Sequence, residues 1–177
     1  EVNLEYLLRA QQQVEELTKK SSNSLNMEWE ELGPNNIGGR TRAFLVDPTN
    51  PSICYAGSVG GGLWKSTTGG TSWSKTHTTD GKLFDNQVVA SICRGSNGDI
   101  YFGTGEGMAT MDGVPNNPYF GFPGKGIWKS SDGGNTFQHL GSTWTGEEAQ
   151  MAFVWVNALA SDPNKANRLY AATKMGL

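Results

Sequence analysis

Residues Gly126 to Phe137 read GIWKSSDGGNTF. The spacing predicts a strand over Gly126 to Ser130, a tight turn at Asp132, Gly133 and Gly134, and a return strand from Thr136 and Phe137. Asp132 can fold its carboxylate back onto nearby backbone N–H groups, the glycines supply positive φ, and Phe137 can pack beneath the hairpin. The same text occurs upstream as GLWKSTTGGTSW, Gly62 to Trp73, which sets Trp64 against Trp128, Ser66 against Ser130 and Trp73 against Phe137. The chain is therefore internally repeated, and the repeat governs how the rest is read.

The 177 residues are 36% hydrophobic and 18% charged, within the globular range, and they include 24 glycines and six tryptophans. Abundant glycine with regularly placed aromatics suits short strands and tight turns. A net charge of -3 argues against a basic, nucleic-acid-binding surface. No apolar run is long enough to span a membrane, and no signal-peptide pattern is present, so if the protein is exported its signal has already been removed. Cys54 and Cys93 have no Cys or His at metal-ligand spacing. They read as buried free thiols, with a bridge between them as the alternative. No metal or other cofactor is expected.

Glu1 to about Lys20 carries Leu4, Leu7, Leu8, Val14 and Leu17 at spacings of three and four, the pattern of an amphipathic helix. A polar linker ends at residue 26, and Met27 to Leu32 (MEWEEL) fits an exposed edge strand. After the turn-rich GPNNIGGRTR, Ala43 to Val46 is apolar enough to be buried on both faces. Ile53 to Ser58, Gly62 to Ser66 and Thr71 to Lys75 complete a four-stranded antiparallel meander. A second pass runs through Val88 to Cys93, Ile100 to Thr104, Gly126 to Ser130 and Thr136 to Leu140. A third begins at Val154 to Ala160 and Arg168 to Thr173.

Tyr101 follows Tyr55 by 46 residues, whereas Trp128 follows Trp64 by 64, which places an 18-residue insertion between the second and third strands, within 107–125. A pitch near 46 is that of a four-stranded propeller blade. The expected fold is all-β: a β-propeller of antiparallel blades, about two and a half of them, within a larger ring and preceded by the helix. Residues 33–79 form blade 1, 80–143 blade 2, 144–177 the start of blade 3, and 27–32 is a candidate closing strand, because Glu28, Trp29 and Glu30 echo Ser72, Trp73 and Ser74.

These hairpins resemble the Asp-box, or BNR-repeat, propellers, whose signature S-x-D-x-G-x-T-W lies on the turn between the third and fourth strands of a blade. Ser130, Asp132, Gly134, Thr136 and Phe137 match it with Phe for Trp. Ser66, Gly70, Ser72 and Trp73 match it with Thr68 in place of Asp. In that family the box is a structural staple, so the resemblance implies a structural role for Ser66, Gly70, Trp73, Ser130, Asp132, Gly134 and Phe137. The text from Trp29 to Trp73 is similar to the first blade of large secreted propeller proteins of Bacteroidetes-type bacteria, many exported by type IX secretion. That similarity implies a secreted or outer-surface protein, outside the outer membrane, with a protein or glycan partner there; a cargo held by secretion machinery is a further alternative.

The residues favour binding over catalysis. A sialidase needs Arg-Ile-Pro on an early strand, but Arg40 and Arg42 precede Thr41 and Ala43. Xyloglucanase-type propeller glycosidases carry a catalytic Asp in Y-A-x-T-D-x-G-G, and here that segment runs Tyr55 to Gly62 with Val59 at the acid position. Glycoside hydrolysis needs two carboxylates, and valine cannot transfer a proton. His77 and His139 fall on outer strands with no G-x-S-x-G elbow. No catalytic residue is assigned. The candidates for ligand binding are Arg40, Arg42 and Glu106 at a tunnel mouth, and Tyr119, Phe120 and Phe122 in the insertion. The plainer readings are a solvated loop arginine, a glutamate held by backbone N–H groups, and aromatics that cap the blade. The reading that results is a binding scaffold, with a propeller glycosidase whose acids lie elsewhere as the alternative.

Overall fold

The computed structural model describes residues 39–84, 87–107, 121–144 and 152–176, all within one unit of the chain. The readings of a helix over 1–20, of a closing strand at 27–32, and of Tyr119 and Phe120 lie outside the described residues.

A first sheet of four strands holds β1 (Thr41–Val46), β2 (Cys54–Ser58), β3 (Gly62–Ser66) and β4 (Ser74–Lys75) in chain order. Its pairings are antiparallel, with Tyr55 opposite Leu45 and Lys65. After β5 (His77–Thr78), a second sheet is built from β6 (Val89–Arg94), β7 (Ile100–Thr104), β10 (Ile127–Ser130) and β11 (Thr136–His139). Between β7 and β10, β8 (Glu106–Gly107) and β9 (Gly121–Phe122) pair with each other at the base of the insertion. Last come β12 (Val156–Ser161) and β13 (Leu169–Thr173), an antiparallel pair.

Two passes of the same antiparallel order agree with the repeat read in the sequence, and the repetition extends to an irregularity. The ladder of the first strand slips between Thr41 and Ala43, between Val89 and Ser91, and between Val156 and Ala158. Each slip leaves one extra residue on the first strand: Arg42, Ala90 and Asn157. A bulge bends its strand and re-aims a side chain.

Two strand expectations change. Ala43 is buried, but Phe44 is 58% and Val46 42% exposed, so Ala43 to Val46 is buried on one face only. In the sheet β1 pairs with β2 alone, and Phe44 meets Trp73 in a tilted contact at 6.4 Å. The fourth strand shrinks from Thr71–Lys75 to Ser74–Lys75, because turn hydrogen bonds hold the residues before it.

Three short strands, β5, β8 and β9, were not legible in the sequence. β5 leaves the first sheet and adds to the outer edge of the second, parallel to β11, with His77 opposite Thr136. Two residues are too few to show a period. The core between the sheets joins Tyr55 and Leu63 to Val89, Ile100, Phe102 and Phe137, with Phe84 of the link among them. Phe84 stands edge-on to Phe102 at 5.2 Å and to Trp128 at 4.9 Å, geometries that aromatic quadrupoles favour.

The sheets approach where side chains are missing. A Cβ on Gly57 would lie 2.6 Å from Val89 Cγ1, and one on Gly103 would lie 2.8 Å from Val156 Cβ and 2.7 Å from Ser91 Oγ. Val89 and Val156 are fully buried. The same glycine-over-valine contact thus joins the first sheet to the second and the second to β12.

Gly103→Ala should therefore cost about 1–3 kcal/mol through overpacking in urea unfolding. Gly133→Ala should cost about 1 kcal/mol, from its φ of 70° alone, because nothing lies within 4 Å of the added carbon. A Gly103→Ala protein as stable as the parent would show that the sheets do not need this approach.

Candidate functional site

The bulge at Arg42 turns that side chain toward the loop after β7, where Glu106 lies. Arg40, one residue before β1, donates from Nη1 to Glu106 Oε1 at 2.9 Å and from Nη2 to Oε2, a two-pronged pairing. Arg42 Nε stands 2.9 Å from Oε1. The glutamate side chain is 6% exposed, while Arg40 and Arg42 remain 51% and 48% exposed. Arg40, Arg42 and Glu106 are thus in direct contact. The plainer readings give way: neither arginine is merely a solvated loop residue, and guanidinium groups, not backbone N–H groups, satisfy Glu106. With both of its oxygens engaged by guanidinium donors, this carboxylate is suited to positioning and not to proton transfer.

The loop carrying Glu106 is fastened from the third repeat. Asn157, the bulge residue equivalent to Arg42, accepts the Gly107 N–H at 2.9 Å. On the opposite strand Phe122 pairs in register with Glu106 and is 47% exposed, so it does not cap the blade. A shallow cavity of about 280 Å³ runs from Arg42 over the first strands of all three repeats to Asn157. Val59 forms an isolated bridge with Val88 and supplies no acid. His139 contacts the Lys125 carbonyl at 2.8 Å on the outer strand β11. Both cysteines are free thiols, Cys54 buried and Cys93 partly so, and burial pushes the Cys93 thiol up to about 11. Among the described residues no cluster of His, Cys, Asp and Glu is placed to hold a metal ion, and no helix is long and apolar enough to cross a membrane.

The second place where side chains converge is the Asp132 turn. Ser130 Oγ accepts the Gly134 N–H at 2.8 Å and donates to Asp132 Oδ1 at 2.7 Å. The Asp132 carboxylate accepts the N–H groups of Asn135 and Thr136 at 3.0 Å and the Thr136 hydroxyl at 2.7 Å. In the first hairpin Ser66 Oγ takes the Gly70 N–H at 2.9 Å, and the Thr68 hydroxyl takes the Ser72 N–H at 2.9 Å. Thr68 therefore replaces the carboxylate as acceptor for the residue four positions on, and the turn closes without the charge. Trp73 and Phe137 occupy matched positions, yet Phe137 is fully buried while Trp73 is 37% exposed and donates to the Gly70 carbonyl at 2.9 Å. Phe137 lies in the core between the sheets, whereas Trp73 has only a tilted contact with Phe44.

The Asp132 turn is also gripped by the preceding repeat. Tyr55 donates to the Gly133 carbonyl at 2.7 Å. Lys65 Nζ donates to the same carbonyl at 2.7 Å and to Asn135 Oδ1 at 2.8 Å. Gly134 seats against the Tyr55 ring, with room for no side chain: an added Cβ would stand 2.9 Å from Cζ. Burial, with the nearby Asp47 adding to it, raises the Tyr55 hydroxyl to about 12, so it remains a donor. Sequence reasoning missed this grip. The matched recurrence of Tyr55 with Tyr101 and of Lys65 with Lys129 was the available signal.

No family model matches the chain, and no curated protein matches it. Among solved structures, the crystal structure of an ancestral GH74 enzyme superimposes with a TM-score of 0.52 at 24% identity. The match covers 75% of this chain and 16% of that one. The likeness supports a β-propeller type of fold for these antiparallel sheets.

Burial pushes the Asp132 carboxyl up, but hydrogen bonds from Thr136 and Ser130 outweigh it and hold the group down at about 2, below the ordinary 3.8. A depressed folded value means stability that is complete above about pH 4 and lost as pH falls toward 2. The carboxylate is solvent-facing, so screening leaves a contribution of about 1 kcal/mol. Asp132→Asn should remove that part of the acid sensitivity in urea melts from pH 5 to pH 2, leaving the part due to Asp47 and Asp99, whose values are also lowered. Glu106→Gln, which leaves the two guanidinium groups facing each other, should cost about 2 kcal/mol at pH 7. Equal stability would show that the arginines do not depend on that carboxylate.

Proposed function

We propose that the chain is part of an Asp-box propeller, of the BNR-repeat type, that acts outside the cell as a binding scaffold and reads carboxylate-bearing glycans. Residues 33–79 and 80–143 are its first two blades and 144–177 begins a third, with 27–32 as closing strand. Secretion, by the type IX route, belongs to this reading and rests on the resemblance carried by residues 29–73.

The observation that carries the proposal is the convergence of two half-exposed guanidinium groups on one buried carboxylate, beside exposed Phe122. The cluster holds one net positive charge. Guanidinium edges facing solvent match a sugar carboxylate, and an aromatic ring offers a face to the apolar side of a pyranose. Tyr119 and Phe120 belong to the same insertion in the sequence.

The second reading is a carbohydrate-active enzyme, favoured by the likeness to a GH74 enzyme. It requires a pair of carboxylates across the scissile bond. Glu106 is engaged by two arginines and Val59 stands at the acid position, so the acids would have to come from other residues.

Isothermal titration with an oligogalacturonate and with a neutral xyloglucan oligosaccharide separates the readings. Binding of the acidic glycan should weaken about tenfold in Arg42→Gln, a loss of roughly 1.4 kcal/mol, with no sugar released on prolonged incubation. Equal affinity for both sugars would overturn the carboxylate reading. Reducing-end release abolished by mutation of a carboxylate would favour the enzyme.

A further inference from the structure

The cavity of about 280 Å³ that begins at Arg42 has a regular lining. Each repeat contributes its bulge residue, Arg42, Ala90 or Asn157, and the residue two positions on, Phe44, Ile92 or Leu159. These are matched positions on β1, β6 and β12, the first strands of three different sheets. The groove therefore runs across the strands and not along any one of them.

That direction decides what can lie in it. An extended peptide gains affinity by pairing along a single strand edge, and a course across three strands forbids such pairing. A pyranose chain has no such need, because each ring pairs an apolar face with a rim of hydroxyl groups that separate side chains can satisfy. The lining offers both kinds of contact. Phe44 is exposed, and Ile92 and Leu159 are half-buried, so apolar surface recurs once per repeat. Asn157 accepts the Gly107 N–H through Oδ1 at 2.9 Å, which fixes the amide and leaves its two Nδ2–H donors without an acceptor among the described residues. Ser91 Oγ donates to the Val156 carbonyl at 3.2 Å and keeps its lone pairs for a ligand hydroxyl.

Charge, in contrast, does not recur. Among the described residues that line the groove only Arg42 is charged, and Ala90 and Asn157 stand in its place in the next two repeats. Stacked sheets lie about 10 Å apart, so two steps carry a ligand about 20 Å from Arg42 to Asn157, the reach of a tetrasaccharide.

We propose, resting on the carboxylate reading of Arg40 and Arg42, that the ligand is a mixed oligosaccharide: one uronate at the Arg42 end, followed by neutral sugars laid across the first strands of all three repeats to Asn157. A chain with a carboxylate on every sugar fits less well, because its later charges meet alanine and an amide.

The test follows backbone amide shifts of the 177-residue protein in nuclear magnetic resonance titrations with glucuronate, glucuronosyl-xylotriose and tetragalacturonate. Glucuronate should shift the surroundings of Arg42. Glucuronosyl-xylotriose should bind about tenfold tighter and extend the shifts to Ile92 and Leu159. Asn157→Asp keeps an acceptor for the Gly107 N–H but loses the amide donors, so the ratio of those two affinities should fall about fivefold. Tetragalacturonate should bind about threefold more weakly than the mixed chain. Glucuronosyl-xylotriose no tighter than glucuronate, a ratio untouched by Asn157→Asp, or tetragalacturonate as tight as the mixed chain would overturn the proposal and leave the carboxylate reading standing. So would an acidic tetrapeptide that shifts Ile92 and Leu159 as strongly, which would make a peptide the occupant. No shift near Arg42 with any of the three acids at about 50 mM would sink the carboxylate reading, and this proposal with it.

Discussion

The contact on which the other arrangements depend is a valine of one repeat set against a residue of the previous repeat that has no side chain. Val89 sits over Gly57 and Val156 over Gly103. The two contacts occur at matched positions, so the close approach between neighbouring sheets repeats as well. Close packing of this kind has little tolerance for an extra methyl group. It brings β1 against β6 and β6 against β12, and so brings the bulge residues of three different sheets to one face. Arg42 and Asn157 reach the Glu106 loop because of that spacing, although 115 positions separate them in the chain.

Two carboxylates are held firmly in this structure, and their settings differ in kind. Asp132 is surrounded by donors from its own turn and is tied down by residues no more than four positions away. Its hydrogen bonds close a loop, and the first hairpin closes with a threonine hydroxyl in the same place. Glu106 is surrounded by charges from another sheet, with Arg40 lying 66 positions earlier. Its ion pairs join repeats and leave cationic groups turned to solvent. The first carboxylate closes its own turn, and the second ties residues of one repeat to those of the next.

The repeat was the most legible feature. Gly, Trp, Lys, Ser and Gly recur in fixed order in GLWKSTTGGTSW and GIWKSSDGGNTF, and hairpin geometry is set by residues in sequence proximity, so the strand order and both turns follow from local text. The candidate site was legible in part. Arg40 and Glu106 could be placed near one mouth by counting strands, but which partner satisfied the glutamate could not be read. Glycine positions likewise gave the turns without giving the tyrosine and lysine that hold the second turn. Burial of β1 was misjudged because an apolar run looks the same whether one face is covered or two, and here Phe44 and Val46 stay exposed while Ala43 is buried.

By itself the sequence determined the β class, the period near 46 residues, the two glycine hairpins and the absence of an acid at Val59, because each depends on residue type and short-range spacing. Tertiary structure alone decided that Arg40, Arg42 and Glu106 form one ion-paired cluster, that β5 crosses to the second sheet, and that Tyr55 and Lys65 clasp the Asp132 turn. Those contacts join residues tens of positions apart, and their geometry is set by how closely Val89 and Val156 let the sheets approach, a distance that no local pattern encodes.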